Sequence, residues 1–364
     1  MNILFLSTHV NTGGITSYLL TLCRGLRKRK HNVWLVSSGG NKEEDFRQIG
    51  VHVHSINIKT KSELSPKIYA ALKPIKKIID EHNIEVIHAQ TRVTQIMAQI
   101  LSRRANRIFV ATCHGFFKVR WLRKLFPCWG DNTIAISPAV YQHLIEDFKV
   151  PGDRVVLIPN GIDLDQFHKA NDEERKINRQ KFNLNQEPVI GIIARLSDVK
   201  GIDILISALP KVLIRFPDAK LLIFGEGKEE RFLKQHVHDL NLNKNVFFYP
   251  SVDNMSNTLS LFNVFVMPSR QEGLGLSVME AQACGCCVIG SRVGGIPSLI
   301  QDGQTGFLVE PGNADELSEK IIMALTDREM SEKIGENGRQ FILNNFSSDI
   351  MVEKTINLYL RLMV

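Results

Sequence analysis

Short apolar runs rich in β-branched residues alternate with helix-spaced apolar faces along the whole chain, and nothing else in the sequence constrains the fold as strongly. In the first half these runs are residues 2–7, 33–37, 85–89, 108–112, 133–136 and 155–158. Between them lie faces such as Ile15/Tyr18/Leu19/Leu22 and Val93/Ile96/Met97/Ile100/Leu101. The second half restarts the pattern at 189–193, 220–224, 245–249, 264–267 and 287–289, with helices over 202–216, 276–284 and 314–325. Consecutive apolar positions suit strands covered on both faces, and their alternation with helices predicts parallel sheets. Two such series predict an α/β protein with two Rossmann-like doubly wound domains facing a cleft. The break falls between Pro159-Asn160-Gly161 and the charged stretch 168–181, which sets a first domain of 1–165 and starts the second at 166. Doubly wound sheets bind ligands at the carboxyl ends of their strands.

Composition narrows the class. A length of 364 residues favours two domains, at about 100–200 residues each. Apolar residues at 44% and charged residues at 23% exclude large-scale disorder and fibrous repeats. No run reaches the ~20 apolar residues of a transmembrane segment. Residues 1–8 read as a first strand rather than a signal peptide, so a cytoplasmic protein is expected. The cysteines, Cys23, Cys113, Cys128, Cys284, Cys286 and Cys287, are scattered, which predicts free buried thiols rather than a disulfide framework. Cys284-Gly-Cys286-Cys287 has no matching Cys or His pair at metal-ligand spacing. The formal charge of +7 is unevenly spread. Residues 1–180 hold 27 Lys+Arg and 16 Asp+Glu, whereas residues 181–364 hold 18 and 22.

The densest constellation is Arg270-Gln-Glu272-Gly273-Leu274-Gly275-Leu276-Ser277-Val-Met-Glu280, directly after the run 264–267. Gly273 and Gly275 open a helix whose free N–H groups can face an anion. Glu280 falls one to two turns into that helix and Glu272 lies in the loop before it. One carboxylate can meet a ribose diol, the other a second set of hydroxyls, with phosphates between. The same residues also describe a glycine turn before an amphipathic helix with a solvated Glu. Arg195 and Lys200 lie on the loop after 189–193, where two cations can hold a diphosphate and stabilise it as it departs. Solvated surface charge is the plainer alternative, natural for Lys200 and less so for an Arg following an apolar run. Gly225-Glu226-Gly227 repeats the strand-then-glycine arrangement. Thr12-Gly13-Gly14 joins the first strand to the first helix without forming G-x-G-x-x-G, and the second strand ends in Ser37-Ser38 without an acidic residue. Both points disfavour a nicotinamide dehydrogenase. His114 follows the fourth strand, and His9 and His88 also sit at strand ends. Asp163-Leu-Asp165 follows Asn160-Gly161 and reads as a linker turn rather than a metal-binding D-x-D.

Together these residues resemble glycosyltransferase family 4, retaining transferases of GT-B fold that use nucleotide-activated sugars. The likeness spans the Gly13-Gly14 loop, residues 156–163, the Arg195/Lys200 pair, Gly225-Glu226-Gly227 and the Glu272-x7-Glu280 signature. It implies that Arg195 and Lys200 bind the donor diphosphate, that Glu280 holds the ribose, and that Glu272 with the backbone of Gly273, Leu274, Gly275 and Leu276 holds the donor sugar and phosphates. His114 is implied near the donor sugar, and Gly13, Gly14, Gly225 and Gly227 in the donor site. The implied donor is UDP- or GDP-linked, bound as substrate, with no cofactor and no metal. The transferred sugar is of hexosyl or N-acetylhexosaminyl type, and the acceptor attacks on the face that the diphosphate leaves. The resemblance further implies an N-terminal acceptor-binding domain over 1–165, a C-terminal donor-binding domain over 166–349, and a last helix over 350–364 that packs back onto the first. Ser277 and Cys286-Cys287 stand where apolar and Thr-Pro residues are commoner in the family.

The basic half suggests what lies on the acceptor side. Arg24, Arg27, Lys28, Arg29 and Lys30 cluster at the end of the first helix, and residues 116–126 interleave cations with large apolar groups. Such patterns suit an anionic membrane surface, which predicts a peripheral enzyme on the inner face of the cytoplasmic membrane. The expected activity is transfer of a sugar to a glycan or lipid-linked acceptor during cell-surface polysaccharide, lipopolysaccharide or glycolipid synthesis. A nucleotide-sugar epimerase of the same fold is the nearest alternative. A basic nucleic-acid-binding protein is the alternative from another class, but no recognition module is legible and no nucleic-acid partner is expected.

Overall fold

The computed structural model describes residues 1–60, 62–63, 65–119, 123, 126–252 and 255–363. Within the segment 116–126, residues 120–122 and 124–125 therefore lie outside the described residues. The chain forms two units, Met1–Gly161 with Ser348–Val364, and Ile162–Ser347. Turn chemistry predicts a limit near 165, and the family resemblance implies one near 349. The observed limits come slightly earlier because Ile162 already belongs to the second unit. Its N–H donates to Phe346 O at 2.8 Å and it bridges Ser347, tying the start of that unit to its end.

In the first unit the strands are β1 (Asn2–Leu6), β2 (Asn32–Ser37), β3 (His52–Ser55), β4 (Val86–Ala89), β5 (Ile108–Cys113), β6 (Asn132–Ala135) and β7 (Val155–Leu157). They form one parallel sheet in the order β3-β2-β1-β4-β5-β6-β7. Alternate residues of β1 serve opposite faces, as strand geometry requires. Ile3 and Phe5 join the core beneath the helices Gly14–Lys28 and Ser348–Met363, while Leu4 and Leu6 join the core beneath Pro66–Glu81 and Arg92–Ala105. The edge strand β3 escapes sequence pattern because three of its four residues, His-Val-His-Ser, are polar and the strand is only partly covered.

Helix Gly14–Lys28 buries Tyr18, Leu19, Leu22 and Leu26. Gly25 lies on the same helix and has no side chain where Val352 of the last helix comes in. A Cβ there would sit 2.3 Å from Val352 Cγ2. The last helix is further tied by Arg29 to Asp349 at 2.8 Å and by Tyr359 OH to His88 Nδ1 at 2.6 Å. It thus packs on the first unit and spans Ser348–Met363.

The second unit repeats the plan with β8 (Val189–Ile193), β9 (Lys220–Phe224), β10 (Val246–Tyr249), β11 (Val264–Met267), β12 (Cys287–Ser291) and β13 (Phe307–Val309). Their parallel order is β10-β9-β8-β11-β12-β13. The three-residue strand β13, set among glycines, also has no clear signature in the sequence. Gly191 in the centre of β8 faces the Phe262 ring, 2.3 Å from where a Cβ would lie, so the ring takes the space of a side chain. All six cysteines are free and buried. Among the described residues, no helix is long and apolar enough to cross a membrane.

Candidate active site

In the second unit the strand order reverses between β8 and β11, which pair directly through Val264 with Ile190 and Phe265 with Gly191. Connections leave these two strands in opposite directions, which opens a crevice at their carboxyl ends. Arg195 and Lys200 occupy the loop after β8, and Glu272 the loop after β11. The tertiary fold brings Lys200 Nζ to 2.5 Å from Glu272 Oε2, with Ser269 Oγ donating to the same oxygen at 3.4 Å. Both side chains are largely shielded from solvent, 20% and 14% exposed.

Backbone contacts hold the two loops in this register. The N–H groups of Arg270 and Gln271 donate to Val199 O at 2.9 and 3.3 Å. Arg270 grips Asp203 with two nitrogens at 2.7 and 2.6 Å. Between them Gly201, at φ +63°, lies so close that a Cβ would fall 2.0 Å from Pro268 O. Only glycine satisfies both the left-handed backbone and that approach. Arg195 is exposed, and no side-chain hydrogen bond or ion pair engages it among the described residues.

Gly275, at φ +107°, caps the helix Leu276–Ala283, and Leu274 is buried before it. This helix is buried from Val278 to Ala283 and includes Glu280, so the reading of Glu280 as a solvated surface residue is excluded. Burial pushes its carboxyl up to about 7, and no side-chain partner engages it among the described residues. Gly225 and Gly227 have a packing reason of their own. A Cβ on either would lie about 2 Å from Ala194 O or Leu196 O, and Leu196 N donates to Glu226 O at 3.0 Å. These glycines therefore seat the Arg195 loop against the end of β9.

The first unit reverses its strand order between β1 and β4. Gly13, at φ +153°, precedes the helix that Gly14 begins, and a Cβ on Gly13 would meet no atom within 4 Å. Beyond β4 and β5, Gln90 Oε1 lies 2.8 Å from His114 Nε2, and the His114 ring meets Tyr18 edge-on at 4.9 Å. Burial lowers His114 to about 3, so it is neutral across the physiological range. His88 is a structural histidine, held by Tyr359 and by Thr112 Oγ1 at 2.7 Å. His9 is exposed, and its ring accepts from Asn11 N at 3.3 Å. Asp163 and Asp165 form a turn, with Asp165 N donating to Asp163 Oδ1 at 3.2 Å.

Several contacting residues escaped the sequence reading. Gln90 follows β4 immediately, and a polar residue at a strand's carboxyl end was the available signal. The Arg270–Asp203 clamp gave none, because its two members lie 67 positions apart in sequence. In the basic cluster, Arg27 donates to His31 O at 2.9 Å and Arg29 binds Asp349, which leaves Lys28 and Lys30 as its exposed members. In the aromatic segment, Arg123 is buried and stacks over Phe117 at 4.0 Å, whereas Phe126 is exposed.

Comparison with known proteins agrees with this arrangement. The family model described as Glycosyltransferase Family 4 matches residues 12–166, and the model described as Glycosyl transferases group 1 matches residues 174–341. The chain is 25% identical to the N-acetyl-alpha-D-glucosaminyl L-malate synthase of Bacillus anthracis, over 97% of this chain and 95% of that one. It is 29% identical to a GDP-mannose-dependent alpha-(1-6)-phosphatidylinositol monomannoside mannosyltransferase of Mycolicibacterium smegmatis, over 92% and 91%. In fold it resembles Anabaena Alr3699/HepE, solved with UDP and glucose, at TM-score 0.88 and 22% identity over 98% of this chain and 99% of that one. Two doubly wound parallel sheets, a cation–carboxylate pair at the switch point of the second, and family likeness across both units lead to one conclusion: the chain is a glycosyltransferase of family 4, with the GT-B fold.

Proposed function

We propose that the enzyme transfers a hexosyl or N-acetylhexosaminyl group, with retention of configuration, from a nucleotide sugar to a glycan or lipid-linked acceptor of the cell surface. The Lys200–Glu272 contact carries this reading, because it places a cation and a carboxylate beside a glycine-capped helix N-terminus at the switch point of one sheet. In this reading Arg195 and Lys200 hold the donor diphosphate and offset its charge as it leaves. Glu280 accepts hydrogen bonds from the ribose hydroxyls. Glu272 and the backbone of Gly273–Leu276 hold the donor sugar and phosphates. Gly13, Gly14, Gly225 and Gly227 keep backbone close to the donor, the last two through the Arg195 loop.

His114 meets the donor sugar through its neutral imidazole. The acceptor hydroxyl attacks the anomeric carbon on the face from which the diphosphate departs, and a donor phosphate oxygen takes its proton. The two cations supply the electrostatic stabilisation that a divalent metal gives other transferases. The name of one relative supports a lipid-linked acceptor, a GDP-mannose-dependent phosphatidylinositol monomannoside mannosyltransferase, while that of another, a synthase of N-acetyl-alpha-D-glucosaminyl L-malate, supports transfer of an N-acetylhexosaminyl group. The charge of the first unit, 25 Lys+Arg against 13 Asp+Glu, supports an anionic membrane as its partner, and in this reading the enzyme works on the inner face of the cytoplasmic membrane. A thermal-shift panel of nucleoside diphosphates and their sugars tests the reading. One base should stabilise wild type strongly and Lys200→Ala weakly; no shift with any of them would refute it.

A further inference from the structure

The first unit also holds a cavity. It has a volume of about 600 Å³ and sits where the chain enters β5, β6 and β7, at the amino ends of these strands. Gly13, Gln90 and His114, in contrast, lie beyond the carboxyl ends of β1, β4 and β5. The two locations are at opposite edges of one parallel sheet, so this cavity is distinct from the site at the carboxyl ends.

Its lining is strongly cationic. Arg103, Arg107, Lys149 and Arg154 line it, against one carboxylate, Asp131, which already accepts from Phe109 N at 2.8 Å. Arg154 is fixed by Gly130 O and Asp131 O. Arg103, Arg107 and Lys149 have no carboxylate partner among the described residues. Arg103 lies in the last turn of the helix Arg92–Ala105, where one cation balances the helix dipole. That accounts for one of the charges and leaves the others uncompensated. Two donors also lack acceptors: Arg107 Nε and the indole Nε1 of Trp129, a residue 6% exposed. Such groups are rare in folded proteins and each unmade bond is costly.

We propose that this cavity binds a phosphate-bearing ligand, either a free phosphate compound or the headgroup of an anionic lipid. Guanidinium groups recognise phosphate oxygens through paired N–H donors, and the ammonium of Lys149 adds charge at the rim. The ligand neutralises the clustered cations, and its site leaves the transfer machinery free. This inference is independent of the donor-site roles, since none of its residues belongs to them.

Two probes on the full-length chain test it: titration calorimetry with inorganic pyrophosphate, and flotation with vesicles of phosphatidylglycerol and phosphatidylcholine in equal parts. Arg103→Ala/Lys149→Asn should weaken at least one of them tenfold or more. Asn is chosen because Lys149 sits at φ +54°, a backbone that Asn tolerates. Lys200→Ala, which alters the donor site instead, should leave the affected binding intact. Loss confined to pyrophosphate identifies a free phosphate ligand, and loss confined to vesicles identifies a headgroup; either supports the site. Wild-type binding of both probes by the double variant overturns it. Transfer without added phosphate should stay unchanged in the same variant, and exposed Arg103→Ala alone serves if the double variant melts early.

Discussion

Lys200 and Glu272, 72 positions apart in sequence, meet at 2.5 Å where the loops after β8 and β11 converge. Neither residue has a strong claim to function alone. Their contact turns two loops into one polar centre, partly shielded from water, where electrostatic interactions are stronger than at an open surface.

Replacing either member should therefore disable transfer. Lys200→Ala and Glu272→Ala are each expected to lower kcat/KM by about 10²–10³-fold, the range found when a preorganised electrostatic group is lost. The double variant should fall well short of the product of the two effects, because each single change already breaks the pair. Multiplicative losses in steady-state assays would show that the two residues act separately.

Glu280 makes a pH prediction with a definite sign. Burial raises its carboxyl from 4.5 to about 7. The fold thus favours the protonated form, and its contribution to stability is full below pH 4.5 and lost as pH rises through 7. Relative to Glu280→Gln, wild type should lose up to about 3 kcal/mol over this window. Donor affinity should move the opposite way, since the ionised carboxylate is the better acceptor for ribose hydroxyls. It should weaken below pH 7 in wild type and stay level in Glu280→Gln. Parallel pH profiles for the two proteins, in melting and in donor titration, would remove Glu280 from the site.

Acid should unfold the first unit through His88. Burial holds this fully enclosed imidazole near 3, against 6.5 in the unfolded chain. The unfolded chain takes up a proton below pH 6.5 that the folded one refuses, so stability falls from there toward pH 3. The slope is about 1.4 kcal/mol per pH unit for one such group. His114, also lowered to about 3 by burial, contributes in the same direction. His88→Gln should be less stable at neutral pH, having lost its bonds to Tyr359 and Thr112, yet show an acid slope shallower by about one proton. Denaturant titrations from pH 4 to 7 measure both, and an unchanged slope contradicts the assignment.

Gly25→Ala inverts the usual helix rule. Alanine normally stabilises a helix interior by about 1 kcal/mol over glycine. Here its methyl would lie 2.3 Å from Val352, and overpacking of that kind costs about 1–3 kcal/mol. Thermal unfolding should show a net loss, with recovery when Val352→Ala is added. A gain in stability from Gly25→Ala alone would mean that the last helix is not seated on the first as described.

Much of the fold is written locally. Strands such as 189–193, 220–224 and 264–267 coincide with apolar runs because burial on both faces demands unbroken apolar sequence, which is visible without knowing the partner. β3 and β13 are not, since an edge strand or a three-residue strand owes its conformation to the neighbour it pairs with. The site divides in the same way. Glycines and charged residues at strand ends mark the loops after β8 and β11, because the chemistry of a loop follows from its own residues. Which charges meet, and which are buried, depends on the order of strands in the sheet. That order alone pairs Lys200 with Glu272, encloses Glu280 in a buried helix, and puts Gly225 against Ala194. It also places four cations around one cavity at the amino ends of β5, β6 and β7, from segments that no sequence period connects. Residue chemistry and periodicity are local properties, whereas burial and pairing are set by non-local contacts, and only the tertiary structure contains those.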